Sequence, residues 1–255
     1  MNLLFVGPQR SFTTSIWYLA KDHPGLNYSI EKEHNSFCKK KNPFSSKTDY
    51  ENFFIGSGNI NIDVCPQYFA NEFAFKYILE NFSWFDLIIY LYRDPRARAI
   101  SYLNLQHAYG RDLDSVLKNK EMYNSFVCNA RLKEFMMHPD IAKRFQIWKV
   151  ENIQENFSKQ FEIQTEPYFS NYNSSFGSPR FNKFNLHVMP RALNLLRKIG
   201  LNNIVNFMKE NVLTRKILFK QPKTSKDINF IINKFKEEFD EETNIVNRFI
   251  EEQDV

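Results

Sequence analysis

Glycine is scarce in this chain, at 7 of 255 residues, and only 3 cysteines are present. Cys38, Cys65 and Cys128 are odd in number, widely spaced and free of any CxxC pair. That pattern argues against a disulfide framework or a zinc site and fits a reducing compartment. No run approaches the roughly 20 apolar residues that span a bilayer. The opening "LLFV" reaches a loop by residue 7, too short for a signal-peptide core. The fold is therefore expected to begin almost at Met1, in a cytoplasmic protein. The nucleotide-triphosphate loop GxxxxGK(S/T) is also missing, because Gly7 has neither a second glycine nor a lysine at the required spacing, which disfavours ATP or GTP chemistry. The five histidines and scattered acids form no credible metal cluster. A net charge of +5 suits an anionic ligand but does not indicate nucleic-acid binding.

What is present is a soluble, globular composition, 43% hydrophobic and 25% charged, with 26 Phe and 12 Tyr. The length allows a substantial core, and one domain over 1–255 is expected. "NLLFV", residues 2–6, suits a buried parallel strand, and Ser15 to Lys21 has helical spacing. "NYSIEKE" reads as a second strand and "NINIDV" as a third. Residues 38–58 are polar and irregular, and read as a loop or insertion. A helix is expected over 68–81. "DLIIYLY", residues 86–92, is the strongest strand signal and predicts a central position buried on both faces. Pro95 then starts a helix, with more helix over 112–137. "RFQIWKV" is a final strand, followed by helical "ENIQENFSKQF". Residues 164–187 read as a long functional loop, and 188–252 as helical throughout. Strands alternating with helices predict an α/β fold: a parallel sheet flanked by helices with a helical C-terminal part, binding ligands at the carboxyl ends of the strands.

Two stretches lie at such ends. In "FVGPQRSFTTSIWYLA" a strand turns into a helix, where free backbone N–H groups and the helix dipole favour an anion. Arg10, Thr13, Thr14 and Ser15 would add charge-assisted donors. The plainer alternative is a Thr N-cap beside a surface charge. In "LYRDPRARAISYL", Arg93 directly follows the apolar strand, where a cation normally has an anionic partner, either a ligand or a carboxylate such as Asp94. Ser101 lies about two turns further on and does not obviously reach Arg93. Arg96 and Arg98 read as ordinary helix charges.

Together the two stretches resemble the PAPS-dependent sulfotransferases, which use 3'-phosphoadenosine 5'-phosphosulfate (PAPS). "GPQRSFTTS" resembles that family's phosphosulfate loop, K/R-x-G-T-T-x. "RDPRARAISY" is similar to its 3'-phosphate element, RDPxxRAxSxY, at Arg93, Asp94, Pro95, Arg98, Ala99, Ser101 and Tyr102. "EKEHNSF" and "IDVCPQYF" resemble the K-E-x-x-x-F and G-E-x-S/T-P-x-Y stretches of the carbohydrate-sulfating branch. Beyond residue 145 the likeness weakens, through "VENI", "NSSFGSPR" and the terminal pair "INKFKEEFDEETNIVNRFI". Two departures stand out. Phe12 occupies the loop's usual glycine, and Arg10 replaces the more frequent lysine.

The resemblance implies a P-loop-like fold and in-line sulfuryl transfer from PAPS to an acceptor hydroxyl, leaving 3'-phosphoadenosine 5'-phosphate (PAP), with no metal. Catalysis of this kind is mainly positioning and electrostatic stabilisation. It implies that Arg10 neutralises the leaving phosphate, with Ser11, Phe12, Thr13, Thr14 and Ser15 forming the loop. Arg93 and Ser101 would bind the 3'-phosphate. Glu33 is expected as the base, with His34 as its rival and Lys32 assisting at the bridging oxygen. Phe176 and Arg180 are candidate adenosine contacts. The acceptor is a small-molecule or carbohydrate hydroxyl that the sequence does not name, and the oligomeric state is unreadable. A nucleotide kinase with a degenerate loop, or a non-catalytic module binding PAP or a glycan, are the competing readings.

Overall fold

The computed structural model describes residues 1–39, 44–108, 112–163 and 226–253. The expected loop at 164–187, with Phe176 and Arg180, lies outside the described residues, as does the helical reading of 188–225.

The first strand, β1 (Asn2–Val6), is buried along its whole length. Helix α1 (Thr13–Asp22) follows, then β2 (Leu26–Ser29), α2 (Lys47–Glu51), β3 (Phe54–Ile55) and β4 (Ile60–Val64). Next come α3 (Gln67–Ala70), α4 (Glu72–Glu80) and β5 (Leu87–Tyr92). A long α5 (Pro95–Ala108) leads through α6 (Leu113–Lys118), α7 (Lys120–Asn124), α8 (Asn129–Met137) and α9 (Pro139–Ala142) to β6 (Phe145–Lys149) and α10 (Ile153–Phe161). Helices α11 (Lys226–Lys234) and α12 (Lys236–Gln253) end the described chain.

The six strands form one sheet in the order β3-β2-β4-β1-β5-β6. Every described pairing is parallel except β2 with β3. β1 and β5 are apolar on both faces because both faces are covered. Leu4, Val6, Ile88 and Tyr90 join one core cluster, while Leu3, Phe5, Ile89 and Leu91 join the other. That alternation is the period-two signature of a strand between two helical layers. Burying each such side chain contributes about 1.5–3 kcal/mol. A third cluster fills the space between α5, the 113–127 segment and α11.

The structure departs from several expectations. "DLIIYLY" is interior, but it lies one strand in from the edge, with β1 nearer the middle. The polar 38–58 stretch is not a plain loop where it is described: it holds α2 and the edge strand β3. The Ser46 hydroxyl caps α2 by accepting from the Asp49 amide. The single helix expected at 68–81 is two, broken at Asn71, whose side chain caps α4. The helical stretch at 112–137 is three helices, with Asp112 capping α6 and Asn119 capping α7. Asx side chains offer the backbone an alternative to continuing a helix, and these breaks use it.

The connection from β1 runs to β2 on one side of the sheet, and that from β5 runs to β6 on the other. The carboxyl ends of β1 and β5 therefore flank a reversal in strand order, where α/β sheets form a crevice. Arg10 and Arg93 both follow these two ends.

Candidate active site

The β1–α1 loop is held close to β5. Gly7, at φ +139°, sits where a Cβ would meet the Leu91 carbonyl oxygen at 3.1 Å. Arg10 (φ 73°) and Phe12 (φ 64°) are both left-handed. A non-glycine residue there costs about 1–2 kcal/mol, so the surrounding contacts must impose the shape. Phe12 thus keeps the backbone conformation that a glycine would supply, while its ring packs against the apolar cluster of α1 and β1. Its carbonyl accepts from the amides of Ser15 (2.9 Å) and Ile16 (3.3 Å). Neither a capping side chain nor an acidic first-turn residue accompanies α1. The first amides of the helix are left without an intrahelical acceptor. Ser11 is fully buried, and its hydroxyl has no hydrogen-bond partner among the described residues. Thr13 and Ser15 are also buried, and Thr14 is half-buried.

The second cluster closes onto this loop. Arg93 donates from Nη1 to the Arg10 carbonyl at 2.9 Å, bracing the left-handed turn. The Arg10 side chain in turn donates from Nε to the Ser101 hydroxyl at 2.9 Å. Ser101 and Arg93, two helical turns apart, are thus joined through Arg10. Asp94 is not the counter-ion of Arg93: its carboxylate caps α5 by accepting from the Ala97 amide at 2.7 Å. Among the described residues no carboxylate lies within ion-pair distance of Arg93. Burial, and then the nearby Arg98 cation, lower its pKa, against a smaller opposing pull from the Asp94 and Glu151 carboxylates. A half-buried guanidinium whose charged form is disfavoured is a site that an anion would relieve.

Arg98 and Arg96 are not free helix charges either. Arg98 is fully buried and forms a two-pronged pair with Glu242 of α12, both contacts 2.7 Å, and also donates to the Phe126 carbonyl at 3.0 Å. Arg96 pairs with Asp240 on the same helix.

At the carboxyl end of β2, Lys32 and Glu33 pair at 3.1 Å, each side chain about a third exposed. Glu33 is left-handed, at φ 57°. Its neighbour His34 is buried, with Nε2 3.0 Å from Asp63 and Nδ1 2.7 Å from the Ser36 hydroxyl. Tyr50 donates to the other oxygen of Asp63 at 3.0 Å, and the Tyr68 hydroxyl is 3.1 Å from Nε2. His34 is therefore bolted into a buried polar network, while Glu33 stays accessible. Trp17 of α1 ties this segment to the first by donating to the Ser29 carbonyl at 3.2 Å.

The fold is similar to that of a solved protein. The crystal structure of a sulfotransferase from Alicyclobacillus acidocaldarius superposes with a TM-score of 0.52 at 12% identity, over 96% of this chain and 95% of that one. The chain has a sulfotransferase-like fold. No family model matches the sequence, and no curated protein does so significantly.

Within this sulfotransferase-like fold, the structure brings Arg10, Ser11, Arg93 and Ser101 together and leaves Glu33 and Lys32 on the same sheet edge, past β2. Phe176 and Arg180 fall outside the described residues. The roles missed from sequence are those of Asp63 and Tyr68, which contact His34, of Tyr50, which donates to Asp63, and of Glu242, which pairs with Arg98. Asp63 carried a signal, as an acid inside an otherwise apolar strand end; Glu242 carried none. Among the described residues, no group of three or more His, Cys, Asp or Glu side chains is arranged to hold a metal, and no helix is long and apolar enough to cross a membrane.

Proposed function

We propose that the protein is a PAPS-dependent sulfotransferase acting on a hydroxyl acceptor. The carrying observation is that Arg10 donates to Ser101 while Arg93 donates to the Arg10 carbonyl, with no carboxylate among the described residues within ion-pair distance of Arg93. The orphaned Ser11 hydroxyl and the uncapped α1 terminus fit the same reading, since phosphate oxygens are acceptors for such donors. Bound PAPS would supply an activated sulfuryl group and a phosphate leaving group. The amides of Thr13 and Thr14, with the Ser11 hydroxyl and the Arg10 guanidinium, would hold the 5'-end and stabilise its developing charge. Arg93 and Ser101 would hold the 3'-phosphate. Glu33 would take the acceptor proton, and its contact with Lys32 keeps a cation at hand for the same edge. His34 is unsuited to that task because both ring nitrogens are engaged in the core.

The direct test is incubation with sulfur-labelled PAPS and a panel of sugars, phenols, alcohols and tyrosyl peptides, alongside thermal shift. Label transfer to at least one acceptor class, and stabilisation by PAP exceeding that by ATP–magnesium, are expected. Stabilisation by ATP–magnesium alone would replace this reading with the kinase one.

A further inference from the structure

Outside the anion crevice, two of the three cysteines converge on one side chain. Cys65 immediately follows β4 and is fully buried, and its Sγ lies 3.2 Å from the Asn35 Oδ1. Cys38, partly exposed at the end of the short 3-10 turn Ser36–Cys38, has its Sγ 3.9 Å from the same oxygen. The other end of that amide matters equally. Asn35 donates from Nδ2 to the Glu33 carbonyl at 2.7 Å, across a segment in which Glu33 and Asn35 are both left-handed. Two thiols thus hold the acceptor end of a side chain whose donor end clamps the backbone of Glu33.

We propose that Cys38 and Cys65 form a reversible modification site for low-molecular-weight disulfides, and that their oxidation to a disulfide releases the Asn35 clamp on Glu33. The chemistry is thiol–disulfide exchange. The Cys38 thiolate attacks one sulfur of a disulfide such as oxidised glutathione, forming a mixed disulfide and expelling one glutathione thiolate. The Cys65 thiolate then attacks Cys38 Sγ, expelling the second. The protein loses two electrons and two protons, and the glutathione disulfide gains them. Exposure assigns the roles, since only Cys38 is partly accessible. Burial first, and then the neighbouring Cys38 thiol, push the Cys65 thiol well above its ordinary range. The second step is therefore the slow one, favoured by proximity rather than by thiolate content. Cys128 takes no part: its thiol is fully buried and pushed up to about 12, chiefly by burial. Once both protons are gone, Asn35 Oδ1 has lost both of its donors among the described residues, and its amide is no longer held toward Glu33 from that side.

The consequence for catalysis rests on Glu33 being the base; the pairing itself does not. The experiment treats the full chain with oxidised glutathione and maps peptides without reduction, alongside backbone hydrogen exchange. The wild type is expected to yield a Cys38–Cys65 crosslink with Cys128 still a thiol. Amide exchange across residues 33–35 should become faster and return to its starting rate with dithiothreitol. Cys65→Ser is expected to stop at a glutathione adduct on Cys38. A wild-type protein that stays fully reduced, retains the adduct without a crosslink, or links Cys128 overturns the pairing. A crosslink with unchanged exchange at 33–35 overturns the clamp. Absence of sulfuryl transfer by the reduced protein would fail the functional reading while leaving both of these readouts decisive.

Discussion

Glu33→Gln is expected to lower turnover by about 10²–10⁴-fold, the usual contribution of a positioned base, while PAP affinity stays close to that of the wild type. The substitution keeps the size of the side chain and its polar reach, and removes only the ability to accept a proton. The carboxylate is not part of the packed core: it is about a third exposed, and among the described residues its close cation is Lys32 at 3.1 Å. Folding should therefore be nearly unaffected, since exposed pairs contribute little. Steady-state turnover with labelled donor, read beside calorimetry with PAP, separates the two effects. Full activity in the variant would remove Glu33 from the role. It would not pass the role to His34 by default, because that ring is buried against Asp63, Ser36 and Tyr68.

Glu242→Leu is expected to destabilise the fold by about 3–5 kcal/mol, the cost of leaving a buried charge without its partner. Arg98 and Glu242 are both fully buried. Burial by itself would lower the arginine's pKa; the Glu242 carboxylate outweighs that and raises it well above its ordinary range. The same carboxylate accepts from the Tyr90 hydroxyl at 2.9 Å, tying α12 to β5 as well as to α5. Arg98→Met combined with Glu242→Leu should recover much of the loss, because two apolar side chains of similar volume need no counter-charge. Urea unfolding checks this through a lower midpoint at unchanged slope. A single-variant loss below about 1 kcal/mol, in the range of an exposed pair, would contradict the buried-pair assignment.

Part of this structure is legible in the sequence. β1, β4, β5 and β6 could be read because continuous or alternating apolar runs leave a periodic trace. α2 and β3 could not, since α2 is a single polar turn capped by Ser46 and β3 is two residues long. Their stability comes from packing rather than from local pattern, as with Tyr50, fully buried between Phe37, Phe44 and Phe54. Arg10 and Arg93 were legible as cations near strand ends, and Ser101 only through the family resemblance. Their junction was not, because it depends on the left-handed turn at Arg10 that carries its side chain to α5. The fate of Arg98 was hidden altogether, since its partner lies on the terminal helix and an arginine in a helix usually points to solvent.

In the proposed reading a single crevice holds both ends of a doubly phosphorylated adenosine. Calorimetry of PAP and of adenosine 5'-monophosphate against wild type and Arg93→Ala tests it most directly. PAP should bind the wild type more tightly than the monophosphate, and Arg93→Ala should weaken PAP by roughly 1.5–3 kcal/mol, the range for a hydrogen bond to a charged group, with a smaller loss for the monophosphate. Unchanged PAP affinity in Arg93→Ala would contradict the claim.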